Sequence, residues 1–241
     1  MSPLISVFCQ AIYTDYWQET YDTLSKSKVD FEIVYAGHVA PSYILPSNFK
    51  FIFTHSAPAA SAHIAFSQTS GKYVIFSPDD LVYENDFLHE MLHTMQSHDD
   101  TKTIVSCYYG ESEKIYLRAI EKGNARYIEV PPHGFGALPI IAMMNRNLFM
   151  DLGGIDKRFL LGRFDLDIAM RLFSAGGNVV GSPTWVYERP RCHGVTRLKR
   201  RKGNANDKKL FNYLWPNMVF GGLCDLNRVK KNGRSDAVRS Y

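Results

Sequence analysis

The 241-residue sequence has little cysteine and no long apolar run. Its four cysteines are far apart and form no CxxC pair, which favours a reduced intracellular environment over a disulfide framework; they are Cys9, Cys107, Cys192 and Cys224. No window approaches the roughly 18 apolar residues that a membrane span needs. The N-terminus also lacks the basic start and long apolar core of a secretory signal. We therefore expect a cytoplasmic protein that is at most peripheral to a membrane.

An excess of one charge is also absent, because the formal net charge is only +4. The hydrophobic fraction of 45% and the charged fraction of 22% are typical of a globular domain with a substantial core. Positive charge is concentrated in the run at 197–202 and near the C-terminus. Such a run is most often a solvated loop; the alternatives are contact with the phosphate of a small ligand, with nucleic acid or with a membrane surface. We expect no DNA partner, and the oligomeric state is not indicated.

The first half of the chain alternates strand-like and helical segments. The strand-like segments are continuous apolar runs at 5–9, 31–36, 49–54 and 72–77. The helical segments cover 15–27, 57–69 and 84–98. This alternation predicts βαβ units, and continuous apolar runs predict strands that are buried on both faces. We therefore expect a central, mainly parallel sheet flanked by helices.

The second half has a looser pattern. It contains strand-like stretches at 102–108 and 114–118, a short helix near 145–152 and a clear helix at 165–175. No linker rich in Gly, Ser or Pro, no internal repeat and no G-x-G-x-x-G motif occurs. The prediction is an α/β fold with a mixed sheet in one domain over 1–195. A basic loop and a C-terminal extension over 196–241 are expected to pack on the same domain.

The segment KYVIFSPDDLVY at 72–83 contains two carboxylates directly after a strand. The strand ends at Pro78, and Asp79 and Asp80 follow it. Ligands of open α/β sheets bind at the carboxyl ends of strands, where adjacent carboxylates can bind a divalent cation that bridges a diphosphate. Ordinary turn or helix-start chemistry is the alternative, because Asp is common in both.

A second acidic site lies in LGGIDKRFLLGRFDLDIAMRLFSAGG at 152–177. Asp165 and Asp167 stand at the start of a predicted helix that turns its apolar residues inward. Both carboxylates can simply favour the positive end of the helix. Alternatively, a carboxylate beside a glycine-flanked loop is suited to accept a proton from a hydroxyl in a cleft.

Together the two segments resemble the family-2-like glycosyltransferases of the GT-A fold, over roughly residues 4–190. SGKYVIFSPDDLVY is similar to the family's Gly-x-Tyr strand that ends in an aspartate motif of the D-x-D kind. GGIDKRFLLGRFDLDIAMRLFSAGG is similar to its Gly-Gly-Phe-Asp motif, aromatic stretch, acidic pair and Arg-containing helix. The resemblance implies a nucleotide-sugar-binding domain and a role in glycan biosynthesis.

The resemblance also implies roles for the acidic residues. Asp80 matches the aspartate that usually coordinates the metal, Mn²⁺ or Mg²⁺, and Asp79 matches its neighbour, which touches the ribose or a metal-bound water. The resemblance also allows the opposite assignment, with Asp79 on the metal and Asp80 as its neighbour. Asp165 matches the aspartate that is the expected base in inverting members, and Asp167 follows at a position that orients acceptor hydroxyls.

Other residues receive roles from the same resemblance. His193 lies where a histidine can complete the metal or diphosphate site, although a lone histidine is more often structural. Trp185 is expected to stack on a sugar ring of the acceptor, and a core position is the alternative. The residues expected to contact the donor are Gln10, Ala11, Tyr13, Ser77, Arg197 and Lys199.

Three departures from the family pattern bear on these roles. Ser77 and Pro78 stand where a first aspartate is usual, and Phe164 replaces the glutamate before Asp165. The segment VYAGH at 34–38 lacks the aspartates that commonly end the second strand. Metal and acceptor chemistry are therefore better supported than the identity of the nucleotide.

The resulting hypothesis is an inverting, metal-dependent transfer of a sugar from a nucleotide-sugar donor to a hydroxyl of a glycan or other acceptor. A nucleotidyltransferase is one alternative, but such enzymes tend to carry a glycine-rich loop after the first strand, and CQAIYTDY has no glycine. A non-catalytic relative that binds sugar or RNA is the other alternative, because a fold does not guarantee activity. The sequence does not indicate which donor or acceptor is used.

Overall fold

The first half of the chain forms the parallel part of a mixed sheet. The computed structural model describes residues 2–110, 133–189, 196–220 and 223–236, with the backbone alone for 196–202 and Phe220. The strands of this part are β1 (Ile5–Gln10), β2 (Phe31–Gly37), β3 (Phe49–Phe53) and β4 (Tyr73–Phe76). They pair in parallel in the order β3-β2-β1-β4. Every residue of β2 is buried, as the continuous apolar run predicts.

Three helices of this half lie within the predicted segments. They are α1 (Trp17–Ser25), which follows a 3-10 turn at Thr14–Tyr16, α2 (Pro58–Ser67) and α3 (Phe87–Gln96). Pro58 opens α2 at a position where a missing N–H removes no helical hydrogen bond. The buried face of α3 includes Met91 and Met95, which are one helical turn apart.

The second half completes an eight-stranded sheet. Its strands are β5 (Leu81–Tyr83), β6 (Thr103–Gly110), β8 (Ala142–Asn145) and β9 (Asn178–Glu188). Strand β8 is antiparallel to β4 and β6, β9 is parallel to β6, and β5 is antiparallel to β9. The helices of this half are α4 (Arg146–Asp151) and α5 (Phe164–Ser174). The predicted α/β class with a central mixed sheet is confirmed, and the strand expected at 114–118 lies outside the described residues.

A small second sheet contains β7 (Phe135–Ala137), β10 (Val219–Phe220) and β11 (Leu223–Asp225), all antiparallel. Two helices accompany it, α6 (Thr196–Leu214) and α7 (Leu226–Asn232). The expectation of a basic loop from residue 196 is therefore wrong for 196–214. Lysine and arginine are good helix formers, and the end of α6 buries Phe211 and Leu214.

The core consists of apolar side chains that pack on the central sheet. Its largest fully buried members include Trp17, Tyr35 and Trp215. Three cysteines are buried as free thiols, and Cys192 lies outside the described residues; the three are Cys9, Cys107 and Cys224. Within the described ranges, no helix has the length and apolar character needed to cross a bilayer.

Candidate functional site

A cavity of about 310 Å³ opens where the parallel strands end. Its walls comprise residues 10–13 after β1, 36–38 at the end of β2, and His55, Ser56, Pro58 and Ser61 around the start of α2. Asp79, just after β4, and Leu161, from the loop before α5, complete the lining. The carboxyl ends of parallel strands meet at one edge, so the topology gathers residues that are distant in the sequence.

A close backbone approach shapes this cavity. A Cβ atom on Gly37 would lie 1.9 Å from the carbonyl oxygen of Ala11. Any side chain at Gly37 would therefore push the loop after β1 away from the end of β2. Gln10, Ala11 and Tyr13 all line the cavity, and their contact with a nucleotide remains a prediction.

Asp79 joins the loop after β1 to the end of β4. Its Oδ2 accepts hydrogen bonds from the backbone N–H of Ile12 at 2.6 Å, from that of Tyr13 at 2.6 Å and from Trp17 Nε1 at 3.0 Å. Burial raises the pKa of Asp79 to about 6, although these donors favour the charged form. With Oδ2 occupied by protein donors, Oδ1 is the oxygen that Asp79 can offer to a cation or a ribose hydroxyl.

Asp80 follows Asp79 in the chain and is only 1% exposed. Its carbonyl oxygen accepts a hydrogen bond from the N–H of Arg189, which follows β9, at 2.7 Å. This contact joins the aspartate pair to the other half of the sheet.

The metal-binding capacity of this site rests on few protein ligands. Within the part of the chain that the structure describes, no group of three or more His, Cys, Asp or Glu side chains is arranged to hold a metal ion. His193 lies outside the described residues. Mg²⁺ is commonly bound by one or two carboxylates, with substrate phosphates and water as the other ligands. The role of Asp79 and Asp80 as metal ligands stays a prediction.

Asp165 lies in the first turn of α5, after Arg163, which adopts a left-handed conformation with φ of 65°. It is half-buried and lines a small apolar cavity with Phe8, Phe76 and Ile168. Burial raises the pKa of Asp165 to about 6, while hydrogen bonds from backbone N–H groups, first that of Leu166, act in the opposite direction. A carboxylate with this pKa is a stronger base than an exposed one and is still charged at neutral pH.

Asp167 is held by structural contacts, and its role in orienting an acceptor stays a prediction. It is 0% exposed and forms an ion pair with Arg171 at 2.9 Å. Trp215 Nε1 donates a hydrogen bond to its Oδ1 at 2.8 Å, and Arg234 Nε lies 3.4 Å from the same atom. Arg171, one turn along α5, and Trp215 and Arg234, from later in the chain, surround this carboxylate.

Ser77 likewise lies in the core, and its contact with the donor stays a prediction. It is fully buried, and its hydroxyl lies 2.6 Å from the hydroxyl of Tyr83. The side chain of Ser77, just after β4, points into the core, and the sequence does not reveal that direction.

The other predicted residues lie away from the cavity lining or outside the described side chains. Trp185 of β9 is half-buried and stacks on Tyr108 of β6, with ring centroids 4.5 Å apart and an interplanar angle of 19°. Its contact with an acceptor remains a prediction. Arg197 and Lys199 belong to α6, but their side chains are not described.

Sequence reasoning missed several residues around the cavity. His38 and His55 both line it, with ring centroids 6.4 Å apart, although no motif points to them. Trp17 was not recognised as the partner of Asp79. Asp207 of α6 was also missed, and it accepts hydrogen bonds from the loop that contains Leu161. A usable signal existed for Asp207, because its spacing places it on the same helix face as Phe211 and Leu214.

Comparison with known proteins identifies the fold. Residues 37–153 match the family model described as glycosyl transferase family 2. The mannosyltransferase PcManGT from Pyrobaculum calidifontis, in complex with GDP-Man and Mn²⁺, superposes with a TM-score of 0.63 and 16% identity, over 88% of this chain and 65% of that one. No curated protein sequence matches the chain.

Two further solved structures have the same fold. GalNAc-T7 with UDP, GalNAc and Mn²⁺ has a TM-score of 0.59 and 14% identity, over 88% of this chain and 48% of that one. S. aureus TarS 1–349 has a TM-score of 0.56 and 13% identity, over 78% of this chain and 60% of that one. The chain thus spans between 48% and 65% of the length of these three structures. At these identities the likeness shows the GT-A fold, and the match to the family model supports glycosyl transfer in general.

Proposed function

We propose that this chain, a family-2-like glycosyltransferase of the GT-A fold, transfers a sugar from a nucleoside diphosphate donor to an acceptor hydroxyl with inversion. The cavity at the carboxyl ends of β1 and β2, with Asp79 in its lining, is the observation that carries the proposal. Its volume of about 310 Å³ is at the lower end of the roughly 300–1,000 Å³ typical of ligand pockets. Its position agrees with that of ligand sites in open α/β sheets.

The donor would bind against the loop after β1. Asp79 holds the N–H groups of Ile12 and Tyr13, so this loop is ordered before any ligand arrives. Such preorganisation lowers the entropic cost of binding. The similar structures with GDP-Man or with UDP and GalNAc support a nucleotide sugar as the donor class.

Asp80, together with the Oδ1 of Asp79, would hold Mn²⁺ or Mg²⁺. When bound, such a cation supplies positive charge to the departing diphosphate. Two of the similar structures contain Mn²⁺, which supports this choice of cofactor.

Asp165 is the proposed catalytic base. It would take the proton of an acceptor hydroxyl as the oxygen attacks the anomeric carbon, while the nucleoside diphosphate leaves from the opposite side. A positioned base is worth on the order of 10²–10⁴ in rate. Its pKa of about 6 keeps most of the carboxylate ready to accept a proton at pH 7 to 8.

Calorimetry with UDP and GDP, in Mn²⁺ and in EDTA, tests the donor and metal assignments. We expect diphosphate binding to depend on the metal, and Asp80→Asn to reduce that dependence while the fold is retained. Asp151→Asn changes an exposed carboxylate outside the site and is the matched control. Equal affinity in Mn²⁺ and in EDTA would remove the metal from the proposal.

Release of nucleoside diphosphate from UDP- and GDP-sugars, with and without sugar acceptors, tests the transfer itself. We expect release that requires metal and increases with the correct acceptor. Tight donor binding without release in any combination would instead favour the non-catalytic, sugar-binding alternative.

A further inference from the structure

One carboxylate of α6 holds the loop that precedes the proposed base. The N–H groups of three consecutive residues donate to Asp207: Leu160 to Oδ1 at 2.9 Å, Leu161 to Oδ2 at 2.7 Å and Gly162 to Oδ2 at 3.0 Å. Asp207 is 1% exposed, so these bonds are shielded from water. Because hydrogen bonds to a buried charge are strong, they fix the backbone of residues 160–162.

A second contact from the same helix face fixes a side chain of this loop. A Cβ atom on Gly203 would lie 2.3 Å from Cδ1 of Leu161. Gly203 is one helical turn before Asp207, so both residues face the loop. Helix α6 thus contacts the loop by hydrogen bonds at Asp207 and by close packing at Gly203, one turn earlier.

The loop connects the cavity to the proposed base. Leu161 is part of the cavity lining, and the carbonyl oxygen of Leu160 accepts a hydrogen bond from Ala59 of α2 at 3.1 Å. The chain then passes through Arg163, in its left-handed conformation, and reaches Asp165 in the first turn of α5. A shift of residues 160–162 would therefore move both the cavity wall and the carboxylate.

We propose that Asp207 is a positioning residue of the transfer reaction, which holds the loop at 160–162 so that Leu161 closes the cavity and Asp165 meets the acceptor. This role rests on the proposed function of the cavity and of Asp165. Asp207 itself need not touch the substrate, because its effect passes through the backbone that it binds.

Asp207→Asn tests the role, since an amide keeps the size of the side chain but loses the charge and one acceptor. We expect kcat, calculated per active donor-binding site, to fall at least tenfold. The Kd for nucleoside diphosphate and metal should change less than threefold. Hydrogen exchange of the amides of residues 160–162 should become at least tenfold faster. Asp225→Asn is the control, because Asp225 also accepts from a backbone N–H, that of Arg228 at 3.1 Å, at the start of α7. It should leave kcat unchanged.

Gly203→Ala provides a second variant with a different physical basis. Alanine is the better helix former, but its methyl group would overlap Leu161, so a change in Tm does not separate the two roles. A merely structural role predicts a normal kcat for the folded protein. The proposed role predicts a lower kcat, because the added methyl group displaces Leu161.

The outcomes separate the two proposals. Suppose that kcat, calculated per active donor-binding site, stays within twofold of wild type in both Asp207→Asn and Gly203→Ala. This result would overturn the role of Asp207 and leave the proposed function intact. A wild-type protein that binds no nucleotide sugar would overturn both proposals. Unchanged hydrogen exchange in Asp207→Asn would also overturn the role of Asp207, because the loop would then be held by other contacts.

Discussion

Asp165→Asn removes a carboxylate whose burial against apolar side chains raises its pKa to about 6. An Asp in the unfolded chain titrates near its ordinary value of about 3.9. Because the folded-state pKa is the higher one, the folded state binds more protons between these two values. The stabilising contribution of protonated Asp165 is therefore lost as pH rises from about 4 to about 6, and the loss is complete above that range.

The pKa difference of about 2 corresponds to about 3 kcal/mol of unfolding free energy at neutral pH. The asparagine variant has no carboxylate to desolvate at this position. We therefore expect it to be more stable than wild type by up to about 3 kcal/mol at pH 7.5 and by far less at pH 4. The same variant should lose at least ~10² in kcat, because an amide cannot take the acceptor proton. The same carboxylate would thus lower the stability of the protein at neutral pH and be required for its activity.

Urea unfolding, followed by the fluorescence of the buried Trp17 and Trp215, measures this difference at pH 4 and at pH 7.5. Asp151→Asn is the control, because it removes a carboxylate that is exposed in the folded state. A pH-independent effect of Asp165→Asn would refute the argument from burial. Retention of more than about a tenth of kcat would refute the assignment of Asp165 as base, whatever the stability.

Three further predictions concern other parts of the molecule. Trp17→Phe removes an N–H that Asp79 accepts, so we expect urea unfolding to show a loss of about 2 kcal/mol and calorimetry to show weaker diphosphate binding. Arg234→Met removes an ion pair of Asp156, whose pKa is held below its usual range by Arg158 and Arg234, so the stability difference from wild type should shrink as pH falls below about 4. Burial raises the pKa of three thiols, so mass spectrometry of native protein treated with iodoacetamide at pH 8 should find them unmodified; they are Cys9, Cys107 and Cys224.

The predictions that succeeded rest on local patterns of the sequence. Continuous apolar runs predicted the parallel strands, because a strand that is buried on both faces cannot carry alternating polar residues. The strand predicted to stop at Pro78 placed Asp79 at the carboxyl edge of the sheet, where the cavity lies. The residues after β1 that the resemblance assigned to the donor lie in the lining of the same cavity.

Side-chain direction and long-range partners could not be predicted from the sequence. Asp165 and Asp167 are two residues apart in one helix turn, yet one lies beside a loop that lines the cavity and the other is buried among Arg171, Trp215 and Arg234. Sequence spacing cannot distinguish them, because their environments come from segments far along the chain.

The sequence by itself determined the α/β class, the acidic motifs and the edge of the sheet at which they lie, because these depend on periodicity and on the order of neighbouring segments. Only the tertiary structure decided which carboxylate lines the cavity and which is buried in an ion pair. Asp207 illustrates the difference, because its three N–H donors are 45 to 47 residues away in the chain. Such a contact forms only when α6 packs against the loop before α5, since no local rule relates residues at that separation.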